Sequence, residues 1–176
     1  MKYIALLRGI NVGGNNKVEM KRLKIVLEGM GYINVSTYLN SGNALFESEE
    51  KQDQIQANVP KVILKEFGLE IPTLIKNIDE IKRIASIIPP EWQNDKDQKT
   101  DVAYLFTEIN SEETISELPI KREYVDLIYV EGAIVWHVTR DNYNNSQLNK
   151  LVGSKLYKQM TVRNVNTARF LAGVIT

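Results

Sequence analysis

Along residues 2–76 the apolar residues change their spacing repeatedly, and the order of those changes leaves few folds open. Residues 2–7 are a continuous apolar run suited to a buried strand, and Gly9 to Asn16 is a loop rich in Gly and Asn. Asn16 followed by Glu19 predicts a capping-box helix start. Leu23, Val26, Leu27 and Met30 then recur at i, i+3, i+4 and i+7, which defines one apolar helix face, and Gly31 supplies the stop. Ile33, Val35 and Thr37 alternate as a strand, Asn40-Ser-Gly-Asn43 turns, and residues 44–48 return. A second helix is expected from Asp53 to Phe67 with Ile55, Val59, Val62 and Ile63 on one face. Pro60 should kink it or mark a restart. Gly68 ends it and residues 71–76 make a fourth strand. The order is β-α-β-β-α-β, the ferredoxin-like arrangement.

After this the order begins again. Asn77 and Glu80 are expected to cap a helix with Ile78, Ile81, Ala85 and Ile88 inward, stopped by Pro89-Pro90. Residues 91–100 are polar and read as a boundary. A strand is expected over residues 102–107, a short helix over 111–118, and a hairpin from Tyr124 to Val138 turning at Glu131-Gly132. Leu148, Leu151, Val152, Lys155 and Leu156 mark another helix, and Asn164 or Asn166 caps a last one ending near Val174. Leu6-Leu-Arg-Gly-Ile-Asn11 is echoed by Leu105-Phe-Thr-Glu-Ile-Asn110. The expected class is α+β, with two ferredoxin-like halves arising by duplication. The first half covers residues 1–77, a helix and polar linker 78–100, and the second half 101–176.

Composition narrows the chemistry. The 176 residues include no Cys, which removes disulfides, thiolate nucleophiles and Cys-ligated metals, and one His, which removes His-cluster metal sites. No apolar run approaches the ~20 residues of a membrane span, and the N-terminal run is too short for a signal peptide, so a cytoplasmic location and no membrane partner are expected. The 22 Lys and Arg balance 22 Asp and Glu, but unevenly. Residues 1–46 carry six basic residues against Glu19 and Glu28, a net +4. Residues 137–176 carry six against Asp141, a net +5, and the centre has a net −9. If the two ends meet, they form one positive surface on a neutral chain. Solvated helix faces rich in Lys account for the same numbers.

Three segments carry potential chemistry. Arg8-Gly-Ile-Asn-Val-Gly-Gly-Asn-Asn-Lys17 links a strand to a helix start, where backbone N–H groups and a helix dipole favour an anion. It is no Walker A loop, because Asn15 and Asn16 stand where Lys and Ser or Thr are needed, and its glycine order is not the dinucleotide fingerprint. Tyr38-Leu-Asn-Ser-Gly-Asn-Ala44 lies where an RNA-recognition domain enters its stacking strand. Ser41, Asn43 and Leu45 replace the basic residue and the two rings, which demotes RNA stacking. Thr161-Val-Arg-Asn-Val-Asn-Thr167 offers Arg163 beside helix-capping Asn residues. His137, between Trp136 and Val138, reads as a satisfied half-buried histidine rather than a base. Asp95, Asp97 and Asp101 lack the glycine and closing Glu of a calcium loop and read as a solvated linker.

Those motifs, with Lys17, Met20 and Leu23, make the chain resemble a widespread bacterial family marked by an LLRGINVGG signature and classed as a domain of unknown function. The resemblance spans essentially the whole chain and implies a compact cytosolic α+β protein with a duplicated organisation. It implies no activity, substrate or cofactor, and the family pattern has Trp at the position of Val165. The leading functional expectation is a site for a phosphorylated or anionic small ligand such as a nucleotide. Arg8, Asn11, Gly13, Gly14, Lys17, Ser41 and Asn43 would build it, joined by Arg163, Asn164 and Asn166. Nucleic-acid binding through the basic ends is the alternative, and a protein-interaction module a further one. No cofactor and no metal are expected, and no nucleophile or general base is evident.

Overall fold

The computed structural model describes residues 1–173, and the chain divides into two compact units, Met1–Asp79 and Glu80–Thr176. The first unit runs β1 (Lys2–Leu7), α1 (Met20–Gly29), β2 (Ile33–Tyr38), β3 (Asn43–Glu47), α2 (Gln52–Phe67) and β4 (Thr73–Asn77). These strands form one antiparallel sheet in the order β2-β3-β1-β4. Tyr3 to Leu7 are all buried, as suits an apolar strand paired on both edges, and its one side-chain hydroxyl, that of Tyr3, donates to Glu50 O at 2.9 Å. Tyr3, Ala5 and Leu7 pack with Leu23, Leu27, Ile55, Val59 and Ile63 beneath the two helices, and Tyr32 stacks on Phe46 at 4.6 Å.

Helix α1 begins three residues later than the Asn16 cap predicts. Asn16 has a left-handed φ of 47° and donates its side-chain amide to Gly9 O at 3.0 Å, so it is unable to cap, and Glu19 takes the N-cap position. The helix ends as expected. Gly31 N–H reaches Glu28 O and Tyr32 N–H reaches Leu27 O, a Schellman pair that needs the positive φ of Gly31. Helix α2 runs through Pro60 as one element of 16 residues rather than restarting. Gln52 and Gln56, one turn apart on it, bond the backbone of Thr73 and Ile75, which satisfies the open edge of β4.

Helix α3 (Ile78–Ser86) spans the division, and the second unit then runs β5 (Gln98–Leu105), α4 (Thr114–Glu117), β6 (Asp126–Val130), β7 (Ala133–Thr139), α5 (Leu148–Leu151), β8 (Met160–Asn164) and α6 (Val165–Leu171). Its sheet order, β6-β7-β5-β8, repeats that of the first unit with β5 in the place of β1. The fold is α+β with two similar halves.

Three expectations change here. Residues 160–164 form an edge strand rather than a loop. The helix expected over 148–156 stops at Leu151, where Gly153 follows and Ser154 Oγ donates to Leu151 O at 2.7 Å. The helix expected over 111–118 shrinks to one turn. The cap of the last helix is Asn164, whose side chain accepts from Thr167 N–H at 2.9 Å, and its expected end at Val174 lies outside the described residues. Asp95 Oδ1 accepts from the N–H groups of Asp97 and Gln98, which lowers its pKa, and Arg140 and Arg169 fasten residues 89–95 to the rest of the unit.

The Asn40–Asn43 turn depends on one glycine. Gly42 has φ +83°, and a Cβ there would stand 2.7 Å from Leu7 Cβ. Gly42→Ala is therefore expected to cost about 2–4 kcal/mol, the sum of a left-handed alanine and overpacking against a strand unable to retreat. Urea unfolding of the purified variant measures it, and a loss below about 0.5 kcal/mol contradicts the packing described.

Candidate anion-binding loop

The loop after β1 is shaped by its asparagines. Gly9, Asn11, Gly13, Gly14 and Asn16 all have positive φ, and these residue types tolerate that region best. Val12 and Asn15 bridge across Gly13 and Gly14, both at positive φ as in a tight primed turn. Asn11 then fixes the loop to its surroundings. Its Oδ1 accepts from Val18 N–H, and its Nδ2 donates to Val18 O and to Asn40 O, each at 2.9 Å. Asn11, Gly14, Lys17, Val18, Glu19, Met20 and Asn40 consequently line one cavity of about 450 Å³ at the start of α1.

The cavity is lined by one charge of each sign, Lys17 and Glu19. Lys17 and Lys21 are exposed around the N-terminus of α1, whose first turn holds no acid, and Glu19 lies at its N-cap position. Arg22, also in that turn, is directed to Glu66 and the Phe67 ring instead. Arg8 is half-buried at the end of β1, where its N–H bonds Pro72 O at 2.9 Å. Asn43 is fully buried and its Nδ2 donates to Tyr38 O and Ser41 Oγ, so Ser41 and Asn43 hold the neighbouring turn.

Of the ten residues expected at the site, Asn11, Gly14 and Lys17 meet at this cavity, and Gly13 tips its loop. Arg163, Asn164 and Asn166 belong to the second unit. Arg163 lies in β8, not in a loop, and is 7% exposed, with Nη1 bonded to Thr161 Oγ1 and Val162 O at 2.9 Å. Burial pushes its guanidinium down to about 10, against the neighbouring Tyr104 and Tyr157. Asn166 Nδ2 reaches Asn94 O at 3.4 Å. His137 stacks on Trp92 and meets Thr100 Oγ1 at 2.9 Å, a satisfied imidazole.

Asp101 overturns the solvated-linker reading of its segment. It sits inside β5, 6% exposed, and lines a second cavity of about 380 Å³ with Trp136 and Asn164. The available signal was its phase, since Asp101 falls two and four residues before Ala103 and Leu105 on the core-facing side of the strand. Among the described residues no cluster of His, Asp or Glu is placed to hold a metal, and no helix is long and apolar enough to cross a membrane.

The family model described as a protein of unknown function, DUF1697, matches residues 1–136. The chain belongs to the DUF1697 family. The matched residues include the glycine-rich loop and the Asn40–Asn43 turn, and Thr161–Thr167 lies beyond them. No curated protein matches the chain. The structure of a conserved bacterial protein, SP0830 from Streptococcus pneumoniae, is similar with a TM-score of 0.85 at 23% identity, covering 99% of this chain and 98% of that one. At that identity the likeness concerns the fold.

The hydrogen bonds of Asn11 are testable without a ligand. Asn11→Ala removes all three and is expected to lower stability by about 1–3 kcal/mol while the Val18 amide loses protection from hydrogen exchange. Unchanged protection at Val18 contradicts the anchoring role.

Proposed function

We propose that this DUF1697 protein binds a phosphorylated or otherwise anionic small ligand at the glycine-rich loop of its first unit. The observation that carries the reading is the shared cavity of Gly14, Lys17 and the start of α1, held in shape by Asn11. The N-terminus of a helix and a flexible cation beside it favour negative charge. Asn11 and Asn16 are engaged in holding the loop, so recognition falls to a phosphate group rather than to a base edge. Arg163, bonded within its own unit, is assigned no part. We also read the two halves as a duplication, on their common strand order.

Thermal shift with inorganic phosphate, pyrophosphate, ribose 5-phosphate, ADP and a short oligonucleotide tests the proposal. A ligand at about 100 times its Kd raises Tm by about 5–10 °C. The rise should be absent in Lys17→Ala, whose exposed side chain makes the substitution harmless to the fold. A shift of equal size in that variant, or none with any phosphate compound, removes the reading. A shift confined to the oligonucleotide and falling steeply with salt points instead to nucleic acid.

A further inference from the structure

The second unit holds a cavity that the anion reading does not use, and its floor is a single row across three strands. In the β5–β7 pairing Asp101 stands opposite Trp136, and in the β5–β8 pairing it stands opposite Asn164. All three line the same space of about 380 Å³, with Tyr143, Tyr157, Leu148 and Leu151 around it. That volume falls in the range of small-ligand sites, about 300–1,000 Å³, and its walls combine these aromatic and aliphatic side chains with the polar groups of Asn94, Lys99 and Arg140.

The polar groups are held in defined roles. Asp101 Oδ2 accepts from Lys99 Nζ at 2.9 Å and from Trp136 Nε1 at 3.2 Å. Among the described residues Oδ1 makes no hydrogen bond, and the fully enclosed unpartnered side-chain atoms are the Tyr32 and Tyr104 hydroxyls alone, so Oδ1 is not sealed off. A carboxylate whose side chain is 8% exposed therefore keeps one oxygen open to the cavity. Asn164 is oriented just as firmly. Capping Thr167 N–H fixes its Oδ1, which leaves its Nδ2 as a donor without a hydrogen-bond partner among the described residues. A pinned acceptor and a pinned donor thus lie side by side on adjacent strands. Lys99 lies over the Tyr143 ring, 5.7 Å from its centroid, which joins the ion pair to one wall.

We propose that this cavity binds an aminated nitrogen heterocycle of the adenine or cytosine type. Such a ring presents an exocyclic amino N–H beside an unprotonated ring nitrogen, the complement of Asp101 Oδ1 and Asn164 Nδ2. Its flat apolar body fits between the tyrosines and leucines. The oxo analogues, hypoxanthine and uracil, present an acceptor and a donor in the reverse order, and they leave the carboxylate facing a carbonyl. The site discriminates against them because buried polar groups left mismatched are costly. This inference is independent of the reading of the first unit.

Titration calorimetry on the full chain with adenosine, cytidine, inosine and uridine is the test. Adenosine or cytidine should bind at least about tenfold more tightly than its oxo analogue. Asp101→Asn should reverse that order, because Lys99 and Trp136 are both donors and will hold the amide oxygen, turning the new NH2 toward the cavity. Asn164→Ser keeps a helix cap but removes the donor, and should weaken adenosine about 10- to 100-fold. The wild-type comparison stands even where a variant fails to fold. Failure of all four nucleosides to bind, equal binding of adenosine and inosine, or an unchanged order in Asp101→Asn overturns the proposal.

Discussion

Each sheet is closed at one end by a latch between the exit of its central strand and its hairpin turn, and the placement of the loops follows from it. In the first unit Leu7 N–H donates to Gly42 O at 2.8 Å, and the absence of a Cβ at Gly42 admits Leu7 and Ile10. Four residues further on, Asn11 fastens the loop to Asn40 O of the same turn. In the second unit Leu105 N–H donates to Gly132 O at 2.9 Å, and Asn110 Oδ1 accepts from Gly132 N–H and Tyr129 O–H. Ile10 and Ile109 are both buried beside these bonds. The recurring Ile-Asn pair thus marks the same mechanical task in both halves: a buried anchor, then an amide that satisfies turn backbone which water would otherwise have to solvate.

This latch changes how the polar loops are read. An Asn-rich, glycine-rich loop looks in the sequence like a set of ligand donors. Here Asn11, Asn16 and Asn43 are consumed by backbone groups of their own loops, because chain segments at positive φ leave carbonyls and amides that helix and sheet ladders do not reach. What remains exposed at the cavity after that satisfaction is Lys17 and Glu19 beside the start of α1. The proposed phosphate site is what the loop's internal bonding leaves over.

The strands were legible wherever apolar residues ran continuously, as over residues 2–7, or alternated around an evident turn, as across Gly132. Strand β8 was not, because Met160-Thr-Val-Arg-Asn164 ends in a charge and a cap and resembles the loop that such residues usually form. Strand β5 begins at Gln98, through polar residues whose backbone pairs with 136–139 and whose side chains give no apolar period. Nor did the sequence distinguish buried charge from solvated charge. Arg163 and Asp101 stand among polar neighbours in the chain, and only the pairing of β5 with β7 and β8 shows that both are enclosed. Tertiary partners, not local pattern, decide such cases.

The two halves also show how one strand order leaves space in different places. Helix α2 extends over 16 residues and buries Ile55, Val59 and Ile63 against its sheet. The corresponding cover in the second unit breaks after α5, since Gly153 and Ser154 end the helix and Val152 turns outward, 62% exposed. A short cover leaves the β5–β8 end of the sheet with less apolar volume above it than a full helix provides. Space over a sheet is tolerated only where its lining is polar enough to be wetted or large enough to hold a ligand. Asp101 and Asn164 supply that polarity on adjacent strands, with Lys99 and the α6 backbone holding each in one orientation. The same irregularity that cuts short the helix expected over residues 148–156 is what leaves this space above the sheet of the second unit.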